Sequence, residues 1–297
     1  MSSQHPINTF DYLSQHHWLI FDEQNNPNQF KRDSAMVLQD TFIRWLPAQH
    51  ERLEQAGSID QPTALMHFYP LPEDTILLGA KDKMLANFDE ASQFLSDEGF
   101  SLSVRPHGGL AVVVDPGVLN IALVSDNHYF PLSIDAAYEQ MVRLVSLTLA
   151  KYGLVVEAYE IVDSYCPGRY DLVVNGLKIG GIAQRRFKTG LTCAAYISVN
   201  GDQQHRAKLI QTFYQIGQAD DSFPNINPNM MASLTDLIKD ELSVDQFKTD
   251  LLDVFTRFTT FETGDFQNTH LQELYARRFE TTYKRSRLVQ PQGDKTK

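Results

Sequence analysis

Apolar positions recur along the chain with two different periods. From Asp33 onward, Val37, Leu38, Phe42 and Trp45 fall on one side of a helical pattern, after a polar Asp22-Glu-Gln-Asn-Asn-Pro-Asn-Gln29 stretch. Short apolar runs then follow at 64–69, 75–78, 100–104, 110–114 and 119–124, each bounded by Pro, Gly or Asp, which is strand punctuation. Residues 88–98 read as a helix that stops at Gly99. A stronger helix covers about 134–152, because Tyr138, Met141, Val142, Val145 and Leu149 share one face and Gly153 ends it. Strands resume at 154–159, 170–174, 177–184 and 191–199, and the rest is helical at 203–216, 231–240, 244–258 and 268–280, ending in a frayed polar tail from Gln290. Strands, a helix, more strands and then helices describe an α+β chain rather than a regular βαβ alternation. The expected organisation is an N-terminal extension over 1–32, a catalytic core over 33–219 and a mainly helical segment over 220–297, packed on the core or separate.

Composition narrows the partners. A formal net charge of −11 over 297 residues argues against a nucleic-acid-binding surface, which draws most of its affinity from basic groups. No run of 18 apolar residues suggests a membrane span, and the start of the chain lacks a signal-peptide layout, so a cytoplasmic protein is expected. Two cysteines, Cys166 and Cys193, then read as free thiols. No zinc spacing, phosphate loop or Gly-x-Ser-x-Gly elbow is present, and neither a metal nor a cofactor is expected.

The chemistry concentrates in Ser164-Tyr-Cys-Pro-Gly-Arg-Tyr-Asp-Leu-Val-Val-Asn-Gly-Leu-Lys-Ile-Gly-Gly181. Asn175-Gly176 between apolar runs is a two-residue hairpin signal, which sets Val174 opposite Leu177 and Val173 opposite Lys178. Alternation places Lys178 on the face of Gly180, with Asp171 and Arg169 across the ladder, so a groove opens beside the lysine. Pro167 biases Cys166 toward an extended backbone. Residues 165–190 hold Arg169, Lys178, Arg185, Arg186 and Lys188 against Asp171 alone, a local balance of five minus one, surroundings that favour a thiolate. Cys166 reads either as that nucleophile or as a small buried hydrophobe, whereas Cys193, in an apolar strand, fits the second description. A second segment, Ser103-Val-Arg-Pro-His-Gly-Gly-Leu-Ala-Val-Val-Val-Asp-Pro-Gly117, reads strand, Gly-Gly turn, strand, and offers His107 as a base.

These two segments, about 50 residues apart, resemble the lipoate–protein ligase, octanoyltransferase and biotin ligase superfamily, where an Arg-x-x-Gly-Gly segment and a later Gly-x-Lys-Ile-x-Gly strand line an acyl tunnel. Asn227-Pro-Asn-Met-Met-Ala-Ser-Leu-Thr-Asp-Leu-Ile238 and Asp40-Thr-Phe-Ile-Arg-Trp-Leu46 are similar to further family segments, so the likeness covers roughly residues 33–255. The resemblance implies a mixed, largely antiparallel sheet with flanking helices, like class II aminoacyl-tRNA synthetases and biotin–lipoate ligases. Ser-Tyr-Cys-Pro-Gly-Arg-Tyr-Asp-Leu172 looks like the cysteine-dependent amidotransferases that move octanoyl or lipoyl groups. It implies Cys166 and Lys178 as catalytic residues, and Arg105, His107, Gly108, Gly109, Gly180 and Gly181 around the acyl chain. The implied partners are the glycine cleavage H protein as donor and lipoyl domains of 2-oxoacid dehydrogenase E2 subunits as acceptors. Arg169, Arg185, Arg186 and Lys188 would steer these acidic partners to the tunnel mouth. The ATP-using members carry Gly-Arg-x-Gln and Ser-Gly-Gly-Gly, where this chain has Gly79-Ala-Lys-Asp-Lys83 and Pro106-His-Gly-Gly-Leu110. Alternatives are an octanoyltransferase drawing on acyl carrier protein, an ATP-dependent ligase, and a non-catalytic protein that binds lipoyl domains.

Overall fold

A computed structural model describes residues 9–27, 33–58 and 60–287. The polar tail expected from Gln290 lies outside the described residues, as does much of the expected N-terminal extension. The helices are α1 (Thr9–Ser14), α2 (Ser34–Gln55), α3 (Phe88–Asp97), α4 (Ile134–Leu149), α5 (Gln203–Ile216), α6 (Leu234–Ile238), α7 (Val244–Phe255) and α8 (Thr269–Arg287). The strands are β1 (His17–Asp22), β2 (Thr63–Phe68), β3 (Thr75–Leu78), β4 (Ser101–Val104), β5 (Val112–Val114), β6 (Val118–Asp126), β7 (Glu157–Ala158), β8 (Leu172–Val174), β9 (Leu177–Phe187), β10 (Gly190–Ser198) and β11 (Phe261–Thr263).

Eight strands form one sheet in the order β11-β1-β2-β6-β10-β9-β8-β7, parallel at β11-β1 and β1-β2 and antiparallel elsewhere. Two-residue turns join β9 to β10 and β8 to β9, the latter at Asn175-Gly176. Both residues take positive φ, 52° and 78°, as the expected two-residue turn requires. β6 and β10 are buried along their whole length because α4 and α7 cover one face while α2 and a second sheet layer cover the other, so they show no polar alternation. Leu119, Ile121, Ala195 and Ile197 of this sheet pack with Met141, Leu144 and Val145 of α4 and with Phe247 and Leu251 of α7.

The second layer is a three-stranded sheet in the order β4-β3-β5. Its presence changes the reading of Gly108-Gly109. Those glycines are not a hairpin turn between paired strands, since β4 and β5 each pair with β3 and not with each other. The Arg105–Ala111 loop therefore crosses over β3, and it does so above the main sheet. β1 and β11, from the expected extension and C-terminal segment, both join the main sheet, and α8 packs on α2 through Leu271 and Tyr275.

Candidate active site

The two-residue turn after β8 sets Lys178 as the second residue of β9, opposite Val173 as its register predicts. Its side chain is fully enclosed. The ammonium pairs with Asp171 Oδ1 at 2.9 Å and donates to Ser164 Oγ at 3.1 Å, Tyr165 O at 2.9 Å and Cys166 O at 2.8 Å. A buried ammonium is tolerated only when its charge and donors are matched. Here a carboxylate and three further oxygens do so. Asp171 accepts from Ile161 N–H at 3.1 Å through its other oxygen; burial pushes its carboxyl up, and the Lys178 ammonium pulls against that. Ala232 N–H donates to Lys178 O at 3.1 Å, so the Asn227–Ile238 segment closes over the lysine's own backbone.

Cys166 is half-buried and does not adopt the extended backbone that the following proline favours. Its φ is 46°, in the left-handed region that costs a non-glycine residue about 1–2 kcal/mol. Lys178 supplies the reason, because it grips two successive carbonyls, Tyr165 O and Cys166 O, and over-determines the bend. The bend sends the sulfur toward the Arg105–Ala111 loop. Arg105 Nη2 donates to Cys166 Sγ at 3.0 Å and Leu110 N–H at 3.2 Å, while the same Nη2 also donates to Leu110 O. A guanidinium and a backbone amide on one sulfur suit a negatively charged thiolate. Burial works against the Arg105 charge, but Cys166 and Asp82 outweigh it and hold the guanidinium more firmly protonated than usual. Gly109, at φ 104°, has no room for a Cβ, which would lie 2.9 Å from the sulfur and overlap Arg105 Nη2.

Sulfur and guanidinium border a cavity of about 230 Å³ between the two sheets. Its apolar wall includes Met36, Leu77, Val112, Ile182, Ala194 and Ala195. His107, Gly108, Gly109 and Gly181 also line it, as does Asp171 at its polar end. Buried polar atoms of its wall, among them Arg105 Nε, His107 Nε2 and Asn120 Nδ2, make no hydrogen bond and are free to meet a ligand. His107 is a poor base or acid: burial, with Arg105 and Arg185 nearby, pushes its pKa down to about 3, so the ring is neutral at pH 7.

Other expected residues sit elsewhere. A bulge between the Val173–Lys178 and Leu172–Gly180 pairs breaks the expected alternation, so Gly181 rather than Gly180 shares the Lys178 side; Gly180 is outside the cavity lining and backs onto Tyr196 O, and Lys178 lies behind the Cys166 loop rather than in the groove. Arg185 is drawn inward to Asp40 Oδ1 at 2.5 Å, where Arg278 and Arg44 also converge on a carboxylate that is 1% exposed. Arg169 is exposed and pairs with Asp135 at 3.2 Å. Arg186 is exposed, donating to Gln184 Oε1 at 2.8 Å and Leu132 O at 2.9 Å, and Lys188 is exposed in the β9–β10 turn. Cys193 is buried in β10, and burial pushes its thiol up to about 12. Asp171 follows from strand alternation, but the Arg105–sulfur contact joins residues 61 apart and leaves no local signal. Among the described residues, no cluster of three His, Cys, Asp or Glu could hold a metal, and no helix is long and apolar enough to cross a membrane.

Comparison with known proteins agrees with this architecture. Residues 36–256 match the lipoyl protein ligase A/B catalytic domain. An octanoyl-[GcvH]:protein N-octanoyltransferase of Geobacillus kaustophilus is 38% identical over 240 residues, covering 80% of this chain and 81% of that protein. A lipoyl-[GcvH]:protein N-lipoyltransferase of Listeria monocytogenes is 42% identical over 176 residues, 58% of this chain and 63% of its own. A crystal structure of lipoate-protein ligase A bound with ATP superposes with a TM-score of 0.64 at 17% identity, covering 91% of this chain and 96% of that one. Protein Ta0514 of T. acidophilum, with bound lipoic acid, gives 0.60 at 17% identity over 90% of this chain and 95% of that one. The two-layered sheet, its helices and the extent of these matches lead to one conclusion: the chain belongs to the family of the lipoyl protein ligase A/B catalytic domain.

Proposed function

We propose that this protein is an amidotransferase that takes an octanoyl group from the lysine of octanoylated GcvH, holds it as a thioester on Cys166, and delivers it without ATP to the lysine of lipoyl domains of 2-oxoacid dehydrogenase E2 subunits. The observation that carries this reading is a bent cysteine whose sulfur, at the edge of an apolar cavity, accepts from a guanidinium and a backbone N–H. The names of several relatives, which specify GcvH, support the choice of donor.

The thiolate adds to the amide carbonyl carbon, and collapse of the tetrahedral intermediate breaks the C–N bond and releases the donor lysine, which takes up a proton. The neutral acceptor amine then adds to the thioester carbonyl, the C–S bond breaks to return the thiolate, and the amine gives up one proton, which balances the one taken up by the donor lysine. One amide replaces another, so no activating nucleotide enters the balance. Buried donors in the cavity wall, such as Arg105 Nε, are suited to the acyl oxygen as it gains charge. Lys178 acts through the loop: with its donors on Ser164, Tyr165, Cys166 and Asp171, it shapes the nucleophile's backbone. About six methylenes buried in the apolar wall give on the order of 5 kcal/mol, which selects a medium chain over acetyl. Arg169, Arg186 and Lys188 remain at the surface to meet an acidic carrier domain.

The test is transfer between purified partners. Octanoylated GcvH and an unmodified lipoyl domain should yield octanoylated lipoyl domain without nucleotide. Turnover only from octanoyl-acyl carrier protein, or only with ATP, would assign one of the other activities. Lipoyl as the cargo is a second reading, favoured by the name of the Listeria relative, and lipoylated GcvH as donor measures it in the same assay.

A further inference from the structure

Behind the glycine loop lies a polar network that the acyl chemistry does not touch. Asp82 is wholly enclosed in the 3-10 turn Asp82–Met84 that follows β3. Its Oδ2 accepts from Gly79 N–H at 2.7 Å and its Oδ1 from Tyr214 Oη at 2.8 Å. Tyr214, on α5, in turn accepts from Ala111 N–H at 3.3 Å. Ala111 follows Leu110, whose own N–H rests on the nucleophilic sulfur. At the other end of the same segment Gly79 presses on Gly109, so closely that a Cβ on Gly79 would overlap Gly109 O. Asp82 thus bears on Gly109 through Gly79 and on Ala111 through Tyr214, with Leu110 held between them.

We propose that Asp82 is a positioning residue for the nucleophile: it holds the Gly109–Ala111 segment and Arg105 against Cys166 Sγ, and it gives Arg105 a counter-charge once the sulfur is acylated and neutral. The proposal rests on the reading of Cys166 as acyl carrier and extends it to a residue that never meets the substrate. A guanidinium left unpaired in a closed site would be costly. During the cycle the Cys166 negative charge disappears on thioester formation and returns on acceptor attack, while Asp82 stays ionised throughout and carries no proton for either step.

The groups that face Asp82 come from three neighbouring elements and its own turn. They are the Gly79 N–H after β3, Tyr214 of α5, Arg105 after β4, and Lys81, whose ammonium is turned outward to Ser222 O and the Phe223 ring. Burial outweighs all of them and raises the carboxyl to about 6. A protonated carboxyl keeps one good acceptor oxygen and turns a hydroxyl toward a donor, so one of its two clamps fails. The loop is therefore held firmly only above that pH.

Alkylation of Cys166 by iodoacetamide, followed by peptide mass on the full chain, tests this without any acyl donor, so its failure is separable from failure of the transferase reading. For wild type the fall in rate with pH should steepen below about pH 6, where Asp82 takes up its proton and the loop loosens. Asp82→Asn should react about tenfold more slowly at pH 8 and follow a single-proton line. Tyr214→Phe keeps the ring packing and removes one hydroxyl. It should stay folded, with a melting temperature lower by a few degrees, and slow alkylation about fivefold. A merely structural role would instead expose the thiol and speed the reaction. A folded Tyr214→Phe protein with the wild-type rate, or a single-proton acid limb in wild type, would overturn the proposal.

Discussion

Lys178 and Arg105 both approach Cys166, from opposite sides and on opposite terms. Lys178 holds the residue by its backbone: it is fully buried, neutralised by Asp171, and has its donors committed to oxygens. Arg105 holds the residue by its sulfur, keeps an unpartnered Nε in the cavity wall, and sits on a loop that needs glycine at its crossing point. One cation is spent on shape and the other remains available to the chemistry. The difference teaches that charge near a nucleophile does not by itself assign a role; the atoms to which each donor points do.

Substitution can separate the two roles. The largest effect is expected for Lys178→Met, which strands Asp171 as an uncompensated buried carboxylate. It should lower stability by about 3–5 kcal/mol in chemical denaturation and abolish transfer with it. A Lys178→Met protein of native stability would show that the pair is dispensable. Arg105→Gln should fold and lose about a hundredfold in single-turnover acylation, since it removes the charge from the sulfur and not the bend. A comparable loss of melting temperature would blur the contrast with Lys178. His107 gives a pH signature: with a folded pKa near 3, below its unfolded value of about 6.5, its neutral form contributes stability that is present above pH 6.5 and lost as pH falls toward 3. Between pH 6.5 and 5, unfolding of His107→Gln should lose about 2 kcal/mol less than wild type. Parallel stability curves would refute that placement. Smallest of all, Arg169→Ala should change stability by less than about 0.5 kcal/mol, because its pair with Asp135 is exposed, and should only weaken the salt dependence of transfer.

Much of this was legible in the chain because it was local. The Asn175-Gly176 turn fixed the partners of Val173 and Val174, and alternation brought Asp171 to Lys178. Helices α3, α4 and α5 follow from apolar stripes and from their end signals: Gly99 just past α3, Gly153 after the 3-10 turn that extends α4, and Asp202 and Gly217 at the two ends of α5. What failed to show in sequence was set by distant residues. Counting basic groups along 165–190 suggested a cationic neighbourhood for the thiol, but Arg185 is drawn to Asp40, Lys178 to Asp171 and Arg169 to Asp135. The cation on the sulfur comes instead from 61 residues upstream. Pro167 argued for an extended Cys166, and a long-range grip on two carbonyls overrode that preference. Strand β1 leaves little sequence signal because its apolar run, Trp18–Phe21, is only four residues long between polar stretches, and β11 has only three residues.

The central claim is that Cys166 carries the acyl group. Its most direct test is the intact mass of the protein after mixing with octanoylated GcvH in the absence of acceptor and ATP. The account predicts a gain of one octanoyl group, mapped to Cys166, released by hydroxylamine and absent from Cys166→Ser, in which a hydroxyl replaces a far better nucleophile. Transfer to a lipoyl domain that proceeds in Cys166→Ser at the wild-type rate, with no adduct on the wild-type protein, would contradict it.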